Sequence, residues 1–326
     1  MPERTYVEAI HDALFEEMER LDTMIVLGED IQEGGVFRVT DGMFERFGGQ
    51  RVLDTPLAEA SIVGTAIGMA VNGCLPVAEI QFADFAYPAF NQLISEAARM
   101  RYRSNGGWGC PIVVRMPYGG GIRGAMYHSQ SIEALLAHVP GLKVVAPSTP
   151  YDAKGMLKAA IRDPDPVMYF EHKKAYRLLK EDVPDADYEV PIGPAMIRRE
   201  GDDMTVISYG LMAHECVQAA DELRAEGIEA TVLDLRTLAP LDRDRILDAA
   251  GRTGKVLIVH EDNLTGGIGA EVSAIISEHA FDSLDAPIRR LAAPDVPAFP
   301  FNGGVEDWCL PSREKIASAM RELAAY

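Results

Sequence analysis

The alternation of short apolar runs with longer amphipathic stretches constrains this chain more than any other feature. Met24 to Leu27 is a compact apolar run ended by Gly28-Glu29-Asp30, which reads as a buried strand feeding a loop. Further strands are expected at Arg51 to Leu53, Pro76 to Ile80, Ile112 to Arg115, Leu142 to Ala146 and Val167 to Phe170. Helices are expected between them, from Ser61 to Val71, Pro88 to Tyr102 and Tyr151 to Ile161. Gly64 and Gly68 share one face of the first of these and predict a closely packed neighbour. Strands that alternate with helices predict α/β architecture, with mainly parallel sheets covered by helices.

The periodicity fades between about Tyr176 and Ala195, where the acidic, Pro-containing run Glu181 to Asp187 reads as a linker. The alternation then restarts. Strands are expected at Met204 to Ser208, Ala230 to Leu233, Val256 to Val259 and Ile288 to Leu291. Helices are expected from Ala213 to Ala225, Arg243 to Ala250, Ile268 to Phe281 and Arg313 to Leu323. The expected organisation is a domain over 1–178, a linker over 179–196 and a second domain over 197–326.

Composition removes several function classes. Fifty acidic residues against 31 Lys and Arg give a net charge of -19, a field that repels nucleic acid and anionic membranes. Cys74, Cys110, Cys216 and Cys309 form no C-x-x-C pair, so neither a zinc site nor a disulfide framework is indicated. No apolar run approaches the ~18 residues of a membrane span. Thr5 and Glu8 form a capping box ahead of Val7, Ile10, Leu14, Met18 and Leu21. With a helix starting so early, a cytoplasmic protein without a leader is the expectation.

Four loop constellations carry the residues suited to chemistry. Asp54 to Ala60 follows a strand and opens a helix, which places Glu59 near a helix N-terminus that favours a carboxylate. Glu79 to Tyr87 lies at a strand end, where α/β sheets bind ligands, and offers Gln81 with the rings of Phe85 and Tyr87. Gly119 to Ser131 is a Gly-rich loop carrying His128, the strongest acid–base candidate. His260 to Gly269 resembles a phosphate loop but lacks both G-x-G-x-x-G and a P-loop lysine. A helix-start acid, ordinary aromatic packing, a surface histidine and a common turn are the plain alternatives.

Taken in order, these blocks resemble one family. They are Gly28-Glu29-Asp30, Gly34 to Arg38, Asp54 to Glu59, Glu79 to Phe85, His128-Ser129-Gln130-Ser131, Pro140 to Val145, Asp152 to Gly155 and Asp234 to Thr237. The chain resembles, over its whole length, the beta subunit of the thiamine-diphosphate-dependent decarboxylating component of 2-oxo acid dehydrogenase complexes. The resemblance implies a transketolase-like pyrimidine-binding domain followed by a transketolase C-terminal-type domain. It implies oxidative decarboxylation of a 2-oxo acid with reductive acylation of lipoyl-lysine. Glu59 matches the glutamate that engages the pyrimidine ring nitrogen. Glu29, Leu57, Gln81 and Phe85 match positions around that ring. His128 matches a loop histidine near substrate and lipoyl-lysine.

The family's G-D-G…N-N diphosphate motif is absent here, so an alpha subunit is expected to hold the diphosphate and Mg2+ in an α2β2 heterotetramer. The lipoyl and subunit-binding domains of the acyltransferase are the further partners. Potassium is implied at Ile112, Ala160, Ile161, Asp163 and Asp165, in a structural role. The blocks 80–84 and 127–131 favour branched-chain 2-oxo acids, with pyruvate and acetoin enzymes close. Phe85 lacks the hydroxyl of the Tyr frequent in branched-chain enzymes. A nicotinamide dehydrogenase and a non-catalytic assembly subunit are the readings from other classes.

Overall fold

Thr5 starts the first helix as its chemistry requires. Its side chain accepts the Glu8 amide at 3.3 Å while Glu8 Oε2 takes the Thr5 amide at 2.7 Å, and the helix Tyr6–Arg20 follows. In the computed structural model, which describes residues 1–326, the chain divides into two units. The first holds 1–118 and 135–192; the second holds 119–134 and 193–326.

The first unit contains β1 (Glu3–Thr5), β2 (Met24–Gly28), β3 (Val52–Asp54), β4 (Leu75–Glu79), β5 (Val113–Tyr118), β6 (Lys143–Val145), β7 (Val167–His172) and β8 (Lys180–Asp182). Six of these form a parallel sheet in the order β6-β7-β5-β4-β2-β3. β2 to β3 builds outward one way and β4 to β5 the other, so the order reverses between β2 and β4. Ligand crevices form at such switch points, outside the carboxyl ends of the strands. Within the linker stretch, β8 pairs antiparallel with β1, and Tyr188 and Val190 lie against Gly155. A Cβ at Gly155 would come within 2.5 Å of Val190, so only glycine admits the crossing chain.

Charge is also buried in this unit. Lys154 and Lys158 of the helix Pro150–Ile161 reach Glu16 at 2.7 and 2.6 Å. At the sheet centre Arg115 is fully buried between Glu79 and Glu171. Its Nη1 donates to Glu79 Oε2 at 2.6 Å, and its Nε and Nη2 donate to both Glu171 oxygens at 2.6 and 2.7 Å. The Tyr176 hydroxyl donates to Glu171 Oε2 at 2.6 Å. Burial pushes the Glu79 carboxyl up, against the pull of Arg115.

Two local expectations need correction. Pro88 to Tyr102 is not one regular α-helix. It holds a 3-10 turn at Tyr87–Ala89, a π-helical turn at Gln92–Ala97 and a short helix Met100–Arg103. The Ala98 amide closes onto the Leu93 carbonyl at 2.9 Å, an i→i−5 bond that admits one extra residue per turn. Gly64 and Gly68, on the helix Glu59–Val71, have no tightly packed neighbour in this chain. A Cβ at Gly64 would sit an ordinary 3.7 Å from Gln92, and one at Gly68 would meet nothing within 4 Å. The helix buries its other face, through Ile62, Val63, Ala66, Ile67 and Ala70.

The second unit contains β9 (Met196–Arg199), β10 (Met204–Ser208), β11 (Ala230–Asp234), β12 (Thr237–Ala239), β13 (Val256–Asn263) and β14 (Arg289–Ala293). Its sheet runs β14-β13-β10-β11-β9, parallel except for β9, with the order reversing between β10 and β13. The helices Gly210–Leu223, Arg243–Thr253, Ile268–His279 and Arg313–Ala324 accompany it. β9 and the helix Gly303–Cys309 are additions to the sequence expectation. No helix of either unit is long and apolar enough to cross a membrane.

Candidate active site

The carboxyl ends of β2, β3 and β4 bring together the residues singled out in the first two constellations. Glu29 follows β2. The turn after β3 delivers Leu57 and then Glu59, the first residue of the helix Glu59–Val71. Gln81 follows β4. Glu59 and Glu29 are each only 8% exposed, and burial together with the neighbouring charge of Glu59 raises the Glu29 carboxyl. The Gln81 amide donates to Asp30 Oδ2 at 3.0 Å and so ties the β4 loop to the β2 loop. Phe85 is half-buried with its ring 5.6 Å from Phe82, edge to face. Leu57 is an apolar side chain left 79% exposed beside this cluster.

Two features missed in the sequence complete this crevice. The Thr55 hydroxyl is buried with no partner, while the Thr55 amide donates to the Gly28 carbonyl at 2.9 Å. This unsatisfied buried hydroxyl lies on the turn after β3 that also delivers Glu59, and it can receive a polar group. The Glu79–Arg115–Glu171 network ties the carboxyl ends of β4 and β7 to the middle of β5. A Cβ at Gly28 would lie 2.9 Å from the Glu79 carbonyl, which explains that glycine. Only tertiary pairing reveals this network, since its members lie 36 and 56 residues apart.

His128 belongs to the second unit, in the loop over 119–134. It is half-buried, and its Nδ1 lies 3.2 Å from the Gly124 carbonyl. The tautomer that donates from Nδ1 suits this contact. A Cβ at Gly124 would come within 2.6 Å of the His128 carbonyl, so the turn requires glycine there. The loop is fixed at the carboxyl ends of β10 and β13. The Tyr209 hydroxyl donates to Glu133 at 2.7 Å, and the Gly120 amide donates to Glu261. Burial and the charge of Asp262 hold the Glu133 carboxyl well above the usual carboxylate range. Burial pushes Asp262 up to about 6 and His260 down to about 4. The Gly-rich turn after β13 has a packing role. Added Cβ atoms at Gly267 or Gly269 would each lie 2.6 Å from the His260 ring.

The residues named for potassium lie at the amino ends of β5 and β7, away from the carboxyl-end crevice. The two carboxylates among them already hold cations: Asp163 takes Lys143 at 2.5 Å and Asp165 takes Arg101 at 2.6 Å. The Ile112 carbonyl accepts the Val167 amide at 2.9 Å and the Ala160 carbonyl the Asp163 amide at 3.3 Å; with Ile161, such carbonyls can still offer a second lone pair as hard donors. They suit a large monovalent cation.

Two α/β units, each with a mainly parallel sheet whose strand order reverses once, have the architecture of transketolase-like proteins. The family described as "Transketolase, pyrimidine binding domain" matches residues 3–178, and "Transketolase, C-terminal domain" matches residues 193–316. A solved "Split gene transketolase, inactive beta4 tetramer" shares the fold, with TM-score 0.80 at 23% identity over 98% of each chain. The relatives in sequence are more specific. The chain is 59% identical over 323 residues, 99% of each protein, to the 2-oxoisovalerate dehydrogenase subunit beta of Bacillus subtilis. It is 46% identical over 327 residues, the whole of each, to the pyruvate dehydrogenase E1 component subunit beta of the same organism. The corresponding subunit of Acholeplasma laidlawii is 47% identical over 321 residues, 98% of each protein. This chain belongs to the family of E1 beta subunits of 2-oxo acid dehydrogenase complexes.

Proposed function

We propose that the chain is the beta half of an E1 component that decarboxylates branched-chain 2-oxo acids and passes the acyl group to lipoyl-lysine. The observation that carries this reading is the buried pair Glu29 and Glu59 at the carboxyl ends of β2 and β3, with the orphaned Thr55 hydroxyl on the same turn after β3. The donor set suits the aminopyrimidine of thiamine diphosphate: a carboxyl for a ring nitrogen, a hydroxyl and an amide for polar edges, and Phe85 for a flat face. When bound, the cofactor supplies the carbon nucleophile and the electron sink for decarboxylation. Glu59 holds a proton at the pyrimidine ring nitrogen. Burial and the neighbouring charge of Glu59 raise the Glu29 carboxyl beside it. Gln81 fixes the loop that carries Glu29 and Asp30. His128, from its glycine-shaped loop, donates a proton or a positive charge to the substrate carboxylate and to the lipoyl dithiolane.

An alpha subunit with a G-D-G…N-N motif supplies the diphosphate and Mg2+ ligands that this chain lacks, in an α2β2 assembly. The acyltransferase provides the lipoyl and subunit-binding domains. The higher identity to the 2-oxoisovalerate relative than to the pyruvate relatives supports the branched-chain substrate. The test is 2-oxo acid-dependent dye reduction by this chain alone and with its alpha partner, using pyruvate, acetoin and the branched-chain 2-oxo acids. Turnover is expected only for the pair and fastest with a branched-chain acid. Equal or faster turnover of pyruvate would move the chain to the pyruvate group, and no turnover with any alpha partner would leave an assembly subunit.

Potassium at the main-chain oxygens of Ile112, Ala160 and Ile161 would brace the amino ends of β5 and β7. Exchanging potassium for choline at constant ionic strength is expected to lower Tm by a few degrees, about the effect of 1 kcal/mol in a domain of this size. An unchanged Tm removes the ion.

A further inference from the structure

The loop that carries His128 is locally unfavourable by itself. Arg123 and Ala125, which flank Gly124, take left-handed φ values of 63° and 57°, just downstream of Gly119 at 86° and Gly121 at 79°. Non-glycine residues hold such conformations only where surrounding structure fixes them. What fixes them is one short segment of the second unit. Asn302 caps the helix Gly303–Cys309, and from its first turn Glu306 points inward, fully buried. Glu306 Oε1 accepts the Gly121 amide at 2.9 Å, and its Oε2 accepts Arg123 Nη1 at 2.7 Å. Arg123 also donates to both Asp307 oxygens, at 2.9 and 3.1 Å, and to the Gly303 carbonyl at 2.9 Å. The fit is close: a Cβ at Gly303 would lie 2.8 Å from the Arg123 guanidinium. Gly120, one residue upstream, donates to Glu261, and its Cα face meets Leu310 and Phe299.

We propose that Arg123 and Glu306 are positioning residues for His128: they hold the left-handed turn whose next residues aim the imidazole. The inference rests on the role given to His128 above. A surface pair contributes little by itself, but Glu306 is different. Its carboxylate is out of water, so Arg123 is the cation that compensates it. Removing Arg123 therefore releases the turn as well as a contact.

The experiment uses the assembled α2β2 enzyme with thiamine diphosphate and Mg2+. The rate of acylation of an isolated lipoyl domain is followed by mass spectrometry as domain concentration is varied. Arg123→Ala is expected to lower kcat at least about tenfold, in keeping with the cost of a misplaced catalytic group, and to leave the KM for the lipoyl domain within about twofold. Asp307→Ala, which removes only the exposed half of the clamp, is expected to lower kcat about two- to fivefold, and it carries the test if Arg123→Ala does not assemble. Acting through His128 has a signature. The Arg123→Ala, His128→Asn double variant should be no slower than His128→Asn alone. Multiplicative losses in the double variant, or wild-type kcat in both clamp variants beside a defective His128→Asn, would overturn the positioning role. Wild-type acylation by His128→Asn would instead overturn the role of the histidine itself.

Discussion

Glu59→Gln is expected to abolish turnover of 2-oxo acid by the assembled enzyme, with kcat falling by at least about a hundredfold, the lower range for loss of a positioned acid–base group. The substitution keeps the shape and the hydrogen-bonding oxygen but cannot share a proton with a ring nitrogen. Glu59 is the first residue of its helix, 8% exposed, and charge-coupled to a raised Glu29. A glutamine there adds no steric change and relieves the electrostatic pressure on the raised Glu29, so the fold is expected to hold. The expected pattern is therefore lost kcat with an unchanged or higher Tm, and with cofactor binding still measurable by calorimetry. Wild-type turnover in this variant would remove Glu59 from the mechanism.

Arg115→Met produces the largest expected change in stability. Arg115 is fully buried and makes three charge-assisted bonds, to Glu79 and to both oxygens of Glu171. Burial works against its charge, but the two carboxylates outweigh that and hold the guanidinium protonated. Taking one partner from such a network leaves the others as uncompensated buried charge, at about 3–5 kcal/mol. For a unit of this size that corresponds to a fall in Tm of about 10 °C. Calorimetry checks it, and the combined variant Arg115→Met, Glu79→Gln, Glu171→Gln should recover most of the loss, because all charge is then removed together. A single variant as stable as the parent would mean that water reaches the site. The same substitution loosens the end of β4, on which Gln81 depends.

The strands were legible because buried parallel strands leave compact apolar runs, as at Met24–Gly28 and Met204–Ser208. That Glu29, Glu59 and Gln81 lie on loops at neighbouring strand ends was legible, because such loops in a parallel sheet converge whatever the sequence between them. Three things left no local trace. The π-helical turn at Gln92–Ala97 keeps an ordinary helical pattern, since one wider turn hardly shifts the apolar spacing. Arg115 reads as a strand terminus, whereas β5 continues to Tyr118 and buries it between carboxylates from other strands. Glu306 reads as a surface acid in a Gly-rich stretch; its partners, Gly121 and Arg123, are 185 and 183 residues earlier.

The placement of 119–134 in the second unit has a consequence for synthesis on the ribosome. Most of the first unit's strands and helices are complete once Ile192 has emerged. The histidine loop is made early but docks on Tyr209, Glu261 and Glu306, the last of which follows Gly121 by 185 residues. At ordinary elongation rates that is a wait of roughly 10–40 s. During it, a glycine-rich segment hangs from a largely folded body without its docking surface. A protease present during translation would find its cutting point there, and nascent chains truncated before residue 306 would lack the Glu306 contacts to Gly121 and Arg123 that hold the turn ahead of His128.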